Sequence, residues 1–320
     1  MTGATTLGVV GLGSMGLGAA LSALRRGVST WGLDTRPEPL ARLREAGGHA
    51  AGTLAELAAA CDVVVVLVVN AAQTEQVLFG DSGDSGDSGD SGDGGAGGGL
   101  ARHLRKGSVV VCSATVDPAL PPRWEARLLE AGLWLIDGPV SGGPKTAAEG
   151  EMTMMASGRP EAFAAAGSML DAVAGKVYRL GDKAGVGSTV KMVNQHLAGV
   201  HIAAACEAMA LGMRAGADPQ ALYDVISNAA GASWMFNNRV PHILAGDYRP
   251  LSAVNIFVKD LGIVLDAARA RAFPLPLAAA AHQIYLATAA AGHGAEDDSA
   301  VIKFYAALAG LQLPAAKEPT

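Results

Sequence analysis

A short apolar run, TLGVVG at residues 6–11, leads straight into GLGSMG at 11–16, and a helical pattern begins at once. Few folds accept that order. A strand that ends in a glycine-rich turn and opens a helix is the first unit of a dinucleotide-binding βαβ. Gly11 permits the tight turn, Gly13 lets a pyrophosphate approach the backbone, and Gly16 lets helix and strand pack closely. Leu12, Ser14 and Met15 complete the turn, and the helix N-terminus faces the phosphates. Asp34 closes the next strand, about twenty residues on, where a carboxylate accepts hydrogen bonds from the adenosine ribose. A carboxylate there repels a 2′-phosphate and favours NAD over NADP. Arg36 is the counterweight, because its guanidinium could pair with such a phosphate.

The same rhythm continues to about residue 180. STWGLD (29–34), CDVVVVLVV (61–69), GSVVVCSA (107–114) and GLWLIDG (132–138) read as strands with helical segments between them. EMTMMAS (151–157) and KVYRLG (176–181) read as two more. Continuous apolar strands with helical crossovers predict a parallel sheet covered on both faces. Past residue 182 the strand signals stop. An Ala-rich helix over 184–214 is expected, then helices near 218–230, 233–245, 252–272, 276–291 and 296–310. The expected fold is α/β: a Rossmann-type doubly wound domain (1–182), an all-α domain with one long helix (183–314), and a tail (315–320). The long helix is apolar nearly all round and so must be buried. A helical domain this rich in Ala is expected to complete its burial against another subunit, as a homodimer or homotetramer.

One segment does not belong to a compact fold. GDSGDSGDSGDSGDGGAGGG (80–99) is a three-residue repeat followed by a glycine tract, with no apolar residue beyond Ala96. It cannot bury enough surface to order itself and reads as a flexible insertion. Its spacing fits neither an EF-hand loop nor a β-helix turn, so calcium binding is not expected. Its GDSG tetrads match the neighbourhood of serine-protease nucleophiles only by coincidence. The repeat also explains the charge. Asp81, Asp84, Asp87, Asp90 and Asp93 carry most of the net −6, and the rest of the chain is nearly neutral. No basic surface for nucleic acid remains.

Cys61, Cys112 and Cys206 lie among apolar residues without metal-ligand spacing, so reduced core thiols in a cytoplasmic protein are expected, and no metal site. MTGATTLGVVGLG has neither a basic leader nor a cleavage pattern, so no export signal is expected. The longest uninterrupted apolar run, VVVVLVV (63–69), is too short to span a bilayer. His201 and Glu207 interrupt the apolar stretch 197–213, which argues for a helix inside a protein rather than a membrane.

Three further motifs carry chemistry. DGPVSGG (137–143) follows a strand at the carboxyl edge of the sheet, where ligands bind in open α/β folds. The Ser141 hydroxyl and the N–H groups of Gly142 and Gly143 could cradle a carboxylate, although an ordinary turn has the same composition. In GVGSTVKMVNQHLAG (185–199), Lys191 sits near a helix start, where a cation is mildly disfavoured. Asn194 and Gln195 follow at i+3 and i+4 on the same face. A lysine whose pKa is lowered by desolvation or a nearby positive charge can take the proton of an alcohol while hydride leaves to a nicotinamide. In FVKDLG (257–262), Lys259 and Asp260 are either a local surface pair or a lysine that reaches the cofactor. His196, His201 and Cys206 read as packed residues of the long helix.

In this order, the glycine fingerprint, DGPVSGG, GVGSTVKMVNQ and KD (259–260) resemble the β-hydroxyacid dehydrogenase family, which includes 3-hydroxyisobutyrate dehydrogenase and tartronate semialdehyde reductase. The resemblance covers the chain outside 80–99. It implies that Lys191 is the catalytic acid/base and that Ser141, Gly142 and Gly143 bind the substrate carboxylate. It also implies that Thr115 (in SATVDP) and Lys259 contact the cofactor, and that the backbone at Val68, Val69 and Asn70 lines the nicotinamide side. Gln195 departs from the Asn of many members. VVNAAQTEQVLFG (68–80) replaces a leucine–proline turn. Together with the stretches 194–211 and 251–262 it resembles the L-threonate dehydrogenase subgroup, which oxidises the C2 hydroxyl of a four-carbon sugar acid. The implied function is NAD-dependent oxidation of a small sugar acid. A 3-hydroxyisobutyrate or semialdehyde type of enzyme is the neighbouring alternative. A non-catalytic dinucleotide-binding scaffold is the distant one, and Lys191 argues against it.

Overall fold

A computed structural model of the chain describes residues 5–80 and 98–315. Of the segment 80–99, read as a flexible insertion, residues 81–97 lie outside the described residues, as do the last five residues of the expected tail. The chain divides into two compact units, residues 1–191 and 192–320.

The first unit is built on a six-stranded sheet: β1 (Leu7–Val10), β2 (Thr30–Leu33), β3 (His49–Ala50), β4 (Val63–Val66), β5 (Val109–Cys112) and β6 (Trp134–Asp137). Their order is β3-β2-β1-β4-β5-β6, and every pair is parallel. The valine runs explain why both faces are covered. Successive strand residues point to opposite faces. Leu7, Val9, Val63, Val65, Val109 and Val111 join one core with Leu17, Ala20 and Leu43. Val10, Val64, Val66, Val110 and Cys112 join another with Leu57, Leu78, Trp124 and Leu128. Fully burying each valine contributes roughly 1.5–3 kcal/mol. Strand order reverses between β1 and β4, so the loops that follow these two strands open the crevice where such sheets bind ligands.

β6 ends at Asp137, and the chain then makes a second, three-stranded sheet: β7 (Val140–Ser141), β8 (Thr153–Ala156) and β9 (Lys176–Arg179). β7 runs antiparallel to β8, and β9 runs parallel to it. The sequence signals the longer strands, whereas β3 and β7, two residues each, are too short for a periodic pattern.

The second unit is helical: the continuation of Val186–Arg214, then Pro219–Ile226, Trp234–Ala245, Val254–Arg269, Pro276–Thr288 and Val301–Ala309. Start signals are visible. The Asp218 and Ser233 side chains cap their helices by accepting from the N–H of Ala221 and Phe236, and Pro219 and Pro276 occupy first-turn positions. The last helix starts later than its apolar pattern suggests, because Asp297 caps a short 3₁₀ turn, Asp298–Ala300, ahead of it. Val186–Arg214 is long and apolar enough to cross a membrane. Ile202, Cys206 and Met209 on that helix nevertheless pack with Phe236, Val240, Phe257, Leu261 and Tyr285, so it is a core helix of a folded unit. All three cysteines are buried and free.

Candidate active site

The glycine turn after β1 has the shape its sequence requires. Gly11 has φ +88°, and a Cβ there would sit 2.6 Å from the Leu67 carbonyl oxygen. A Cβ on Gly16 would sit 1.8 Å from the Gly11 carbonyl oxygen. No side chain fits at either position, so the turn folds tightly against both its own helix and the loop after β4. Gly13 is the opposite case, because its Cβ position is open apart from the Arg36 guanidinium at 4.0 Å. The helix Gly16–Arg25 starts at Met15 without a side-chain cap, so its first N–H groups are suited to phosphate oxygens. The turn therefore fits a dinucleotide pyrophosphate.

Asp34 lies at the end of β2 and is already engaged. It accepts from the Leu12 N–H at 2.7 Å and from the Arg36 N–H at 2.9 Å. Arg36 Nε and Nη2 fork onto its two oxygens at 3.0 and 3.1 Å. Burial opposes ionisation of this carboxyl. The Arg36 side chain and the N–H groups of Arg36 and Leu12 outweigh it and hold the group below the usual carboxylate range. The other cofactor candidates lie nearby or on neighbouring loops. Val68 is half-buried beside Gly11, and Val69 is exposed. The Asn70 side chain accepts from the Gln73 N–H and caps the helix Ala71–Phe79, while Gln73 Oε1 accepts from the Val69 N–H. Thr115 is half-buried in the loop after β5.

The two candidate substrate motifs of the first unit meet at Asp137, the last residue of β6, which is 1% exposed. One of its oxygens accepts from the N–H of Gly185 at 2.9 Å and of Ser188 at 2.8 Å, and the other from Ser188 Oγ at 2.6 Å. The Ser157 hydroxyl adds a donor at 3.3 Å. Burial pushes the Asp137 carboxyl up, against these donors. Its carboxylate seals the N-terminus of the long helix, where negative charge is favoured. Lys191, 7% exposed, follows one turn after Ser188. On the other side of Asp137 the chain passes through β7 to Ser141, which is half-buried. Gly142 and Gly143, at φ +130° and +84°, then open the helix Gly143–Glu149. Positive φ at both positions is a backbone conformation that glycine adopts at little cost.

In the second unit, Asn194 Nδ2 donates to Gln195 Oε1 at 3.0 Å, and Gln195 Nε2 donates to Asp260 Oδ2 at 2.5 Å. Lys259 Nζ donates to the other Asp260 oxygen at 2.5 Å. Lys259 and Asp260 are thus no exposed pair, since Asp260 is 2% exposed. It ties the amide that follows Lys191 by one turn to Lys259. Sequence reasoning missed Asp137 and Asp260 as organising carboxylates. The available signals were an acid closing an apolar strand ahead of a glycine, and an acid within an apolar helical run. Among the described residues, no cluster of His, Cys, Asp and Glu could hold a metal ion.

The chain matches known proteins over nearly its whole length. Residues 6–181 match the family model for the NAD-binding domain of 6-phosphogluconate dehydrogenase. Residues 185–305 match that for the NAD-binding region of NADP-dependent 3-hydroxyisobutyrate dehydrogenase. The L-threonate dehydrogenase of Cupriavidus necator is 56% identical, over 98% of this chain and 99% of its own. That of Escherichia coli strain K12 is 51% identical, over 97% of each. A crystal structure of a 3-hydroxyisobutyrate dehydrogenase from Salmonella typhimurium superposes with a TM-score of 0.84 at 51% identity, covering 93% of this chain and 99% of that one. The chain belongs to the 3-hydroxyisobutyrate dehydrogenase family of NAD-binding β-hydroxyacid dehydrogenases.

Proposed function

We propose that the protein oxidises L-threonate at C2 to 2-dehydro-L-erythronate with NAD, as a cytoplasmic homodimer or homotetramer. The observation that carries this reading is the 56% identity, over nearly the whole of both chains, to a protein named L-threonate dehydrogenase. Lys191 on the anchored first turns of the long helix supplies the chemistry. In this reading Ser141 Oγ and the N–H groups of Gly142 and Gly143 hold the C1 carboxylate, which leaves the C2 hydroxyl next to the clamp. Lys191, entering as the neutral amine, takes the hydroxyl proton and becomes the ammonium as hydride departs from C2. The bound nicotinamide supplies the hydride acceptor. Gly11 to Gly16 and Asp34 hold the dinucleotide, with Val68, Val69, Asn70, Thr115 and Lys259 contributing contacts. Asn194 and Gln195 serve the substrate's remaining polar groups. An exposed apolar stripe on the long helix, Val190, Val193, Leu197 and Leu211, supports self-association.

A second reading, oxidation at C3 of a 3-hydroxyisobutyrate-type acid, is favoured by the name of the Salmonella protein. It needs the hydroxyl one carbon further from the clamped carboxylate. A panel of four-carbon sugar acids and short 3-hydroxy acids, followed by NADH and NADPH absorbance, separates the two. L-Threonate with NAD should give the largest kcat/KM, and a preference for 3-hydroxyisobutyrate would replace the first reading with the second.

A further inference from the structure

We infer that Asp137 is a positioning residue for the hydroxyacid oxidation: its carboxylate fixes the helix turn that carries Lys191 relative to the Ser141–Gly143 turn. This rests on the proposed role of Lys191 as acid/base. Asp137 stands at the junction of both pieces. It closes β6, four residues before Ser141, and its side chain receives the N–H groups of Gly185 and Ser188 and the Ser188 hydroxyl. The main chain doubles the anchor. The Asp137 N–H donates to the Ser157 carbonyl at 2.9 Å, and the Ser157 N–H donates back at 2.8 Å. Ser157 Oγ in turn accepts from the Gly187 N–H at 2.9 Å. Gly187 shows how closely the helix start is seated. A Cβ there would lie 2.3 Å from the Met155 carbonyl oxygen and 2.6 Å from that of Asp137. A buried carboxylate with four donors has one low-energy arrangement, so the helix start has little freedom to roll or slide. Proton transfer is sensitive to ångström-scale misplacement. The anchoring therefore acts on turnover through Lys191, without Asp137 touching the substrate.

The test is a cycle on the full-length protein. Asp137→Asn is nearly isosteric. Its amide oxygen can keep the bonds from Gly185 and Ser188, and its NH₂ can donate to a rotated Ser188 hydroxyl. It should keep kcat within about fivefold of the parent, since the arrangement is preserved. Asp137→Ala should lower kcat by about a hundredfold while the Kd for NADH, measured by fluorescence titration, changes by less than about threefold. Ser188→Ala, which removes only the 2.6 Å bond, should fall between them and provides a folded variant if Asp137→Ala does not fold. In a Lys191→Ala background, Asp137→Ala or Ser188→Ala should cost little more, because residues that act through one another are not additive. Losses that multiply in the double variant would overturn the inference, as would an Asn variant as impaired as the Ala one. Near-normal turnover of Lys191→Ala alone would instead refute the acid/base reading on which it rests.

Discussion

Lys191 is a polar group in an apolar helix, and its burial gives it no simple solvated role. Replacing it by Ala should lower kcat/KM for threonate by about 10³-fold, the range for loss of a positioned acid/base, with NADH affinity unchanged within about threefold. Stopped-flow turnover and fluorescence titration measure the two separately. Asp34 and Arg36 are the proposed pair of determinants of cofactor choice. The fork neutralises the carboxylate that would otherwise repel a 2′-phosphate, so discrimination is weaker than Asp34 alone would give. Arg36→Ala should raise the ratio of the NADPH Kd to the NADH Kd by about tenfold, or ~1.4 kcal/mol; an unchanged ratio would remove Arg36 from selectivity. Because the folded-state carboxyl is held below its ordinary value, the pair is fully formed above that ordinary value and is lost only as pH falls through the lowered one. NADH affinity should therefore show no Asp34 titration at neutral pH. In the second unit, Arg239 forks onto Asp298 at 2.5 and 3.1 Å with both side chains buried. Arg239→Met leaves that carboxylate uncompensated and should destabilise the chain by about 3–5 kcal/mol, read as a lower midpoint in denaturant.

At the scale of elements, the strands with continuous valines and the helices with Asp, Ser or Pro at their starts were legible because their signals are local. Alternation of apolar strands with helical segments was enough to signal a parallel sheet covered on both faces. The two-residue strands were not legible, since pairing to β2 and β8 creates them rather than any period of their own. The same limit applied to the site. The glycine turn and the left-handed pair at 142–143 show in composition, because only glycine tolerates those conformations. Asp137 and Asp260 act across 48 and 65 residues of sequence, to Gly185 and Gln195, and no local pattern records such pairings. The segment read as an insertion, 80–99, has described residues at both ends. A Cβ on Gly80, after the helix Ala71–Phe79, would lie 3.4 Å from the Gly98 Cα and 3.2 Å from the Gly99 nitrogen. The flanking backbone is therefore already adjacent, and loop length costs little where ends meet. Deletion of 81–97 should leave Tm and kcat/KM nearly unchanged by calorimetry and steady-state assay; a large loss of either would give the repeat a role.

For the whole molecule, the proposed chemistry rests on a nucleotide-binding sheet, a proposed carboxylate cradle at Ser141–Gly143 and Lys191 in the first turns of the helix Val186–Arg214. Its central claim is chemical: hydride leaves the carbon adjacent to the clamped carboxylate. The most direct measurement uses L-threonate deuterated at C2 with NAD, followed by mass spectrometry of the reduced cofactor and comparison of the turnover rate with unlabelled substrate. The account predicts deuterium in the isolated NADH and slower turnover of the labelled acid when hydride transfer limits the rate. Unlabelled NADH, with deuterium retained at C2 of the product or transferred only from substrate labelled at C3, would contradict it.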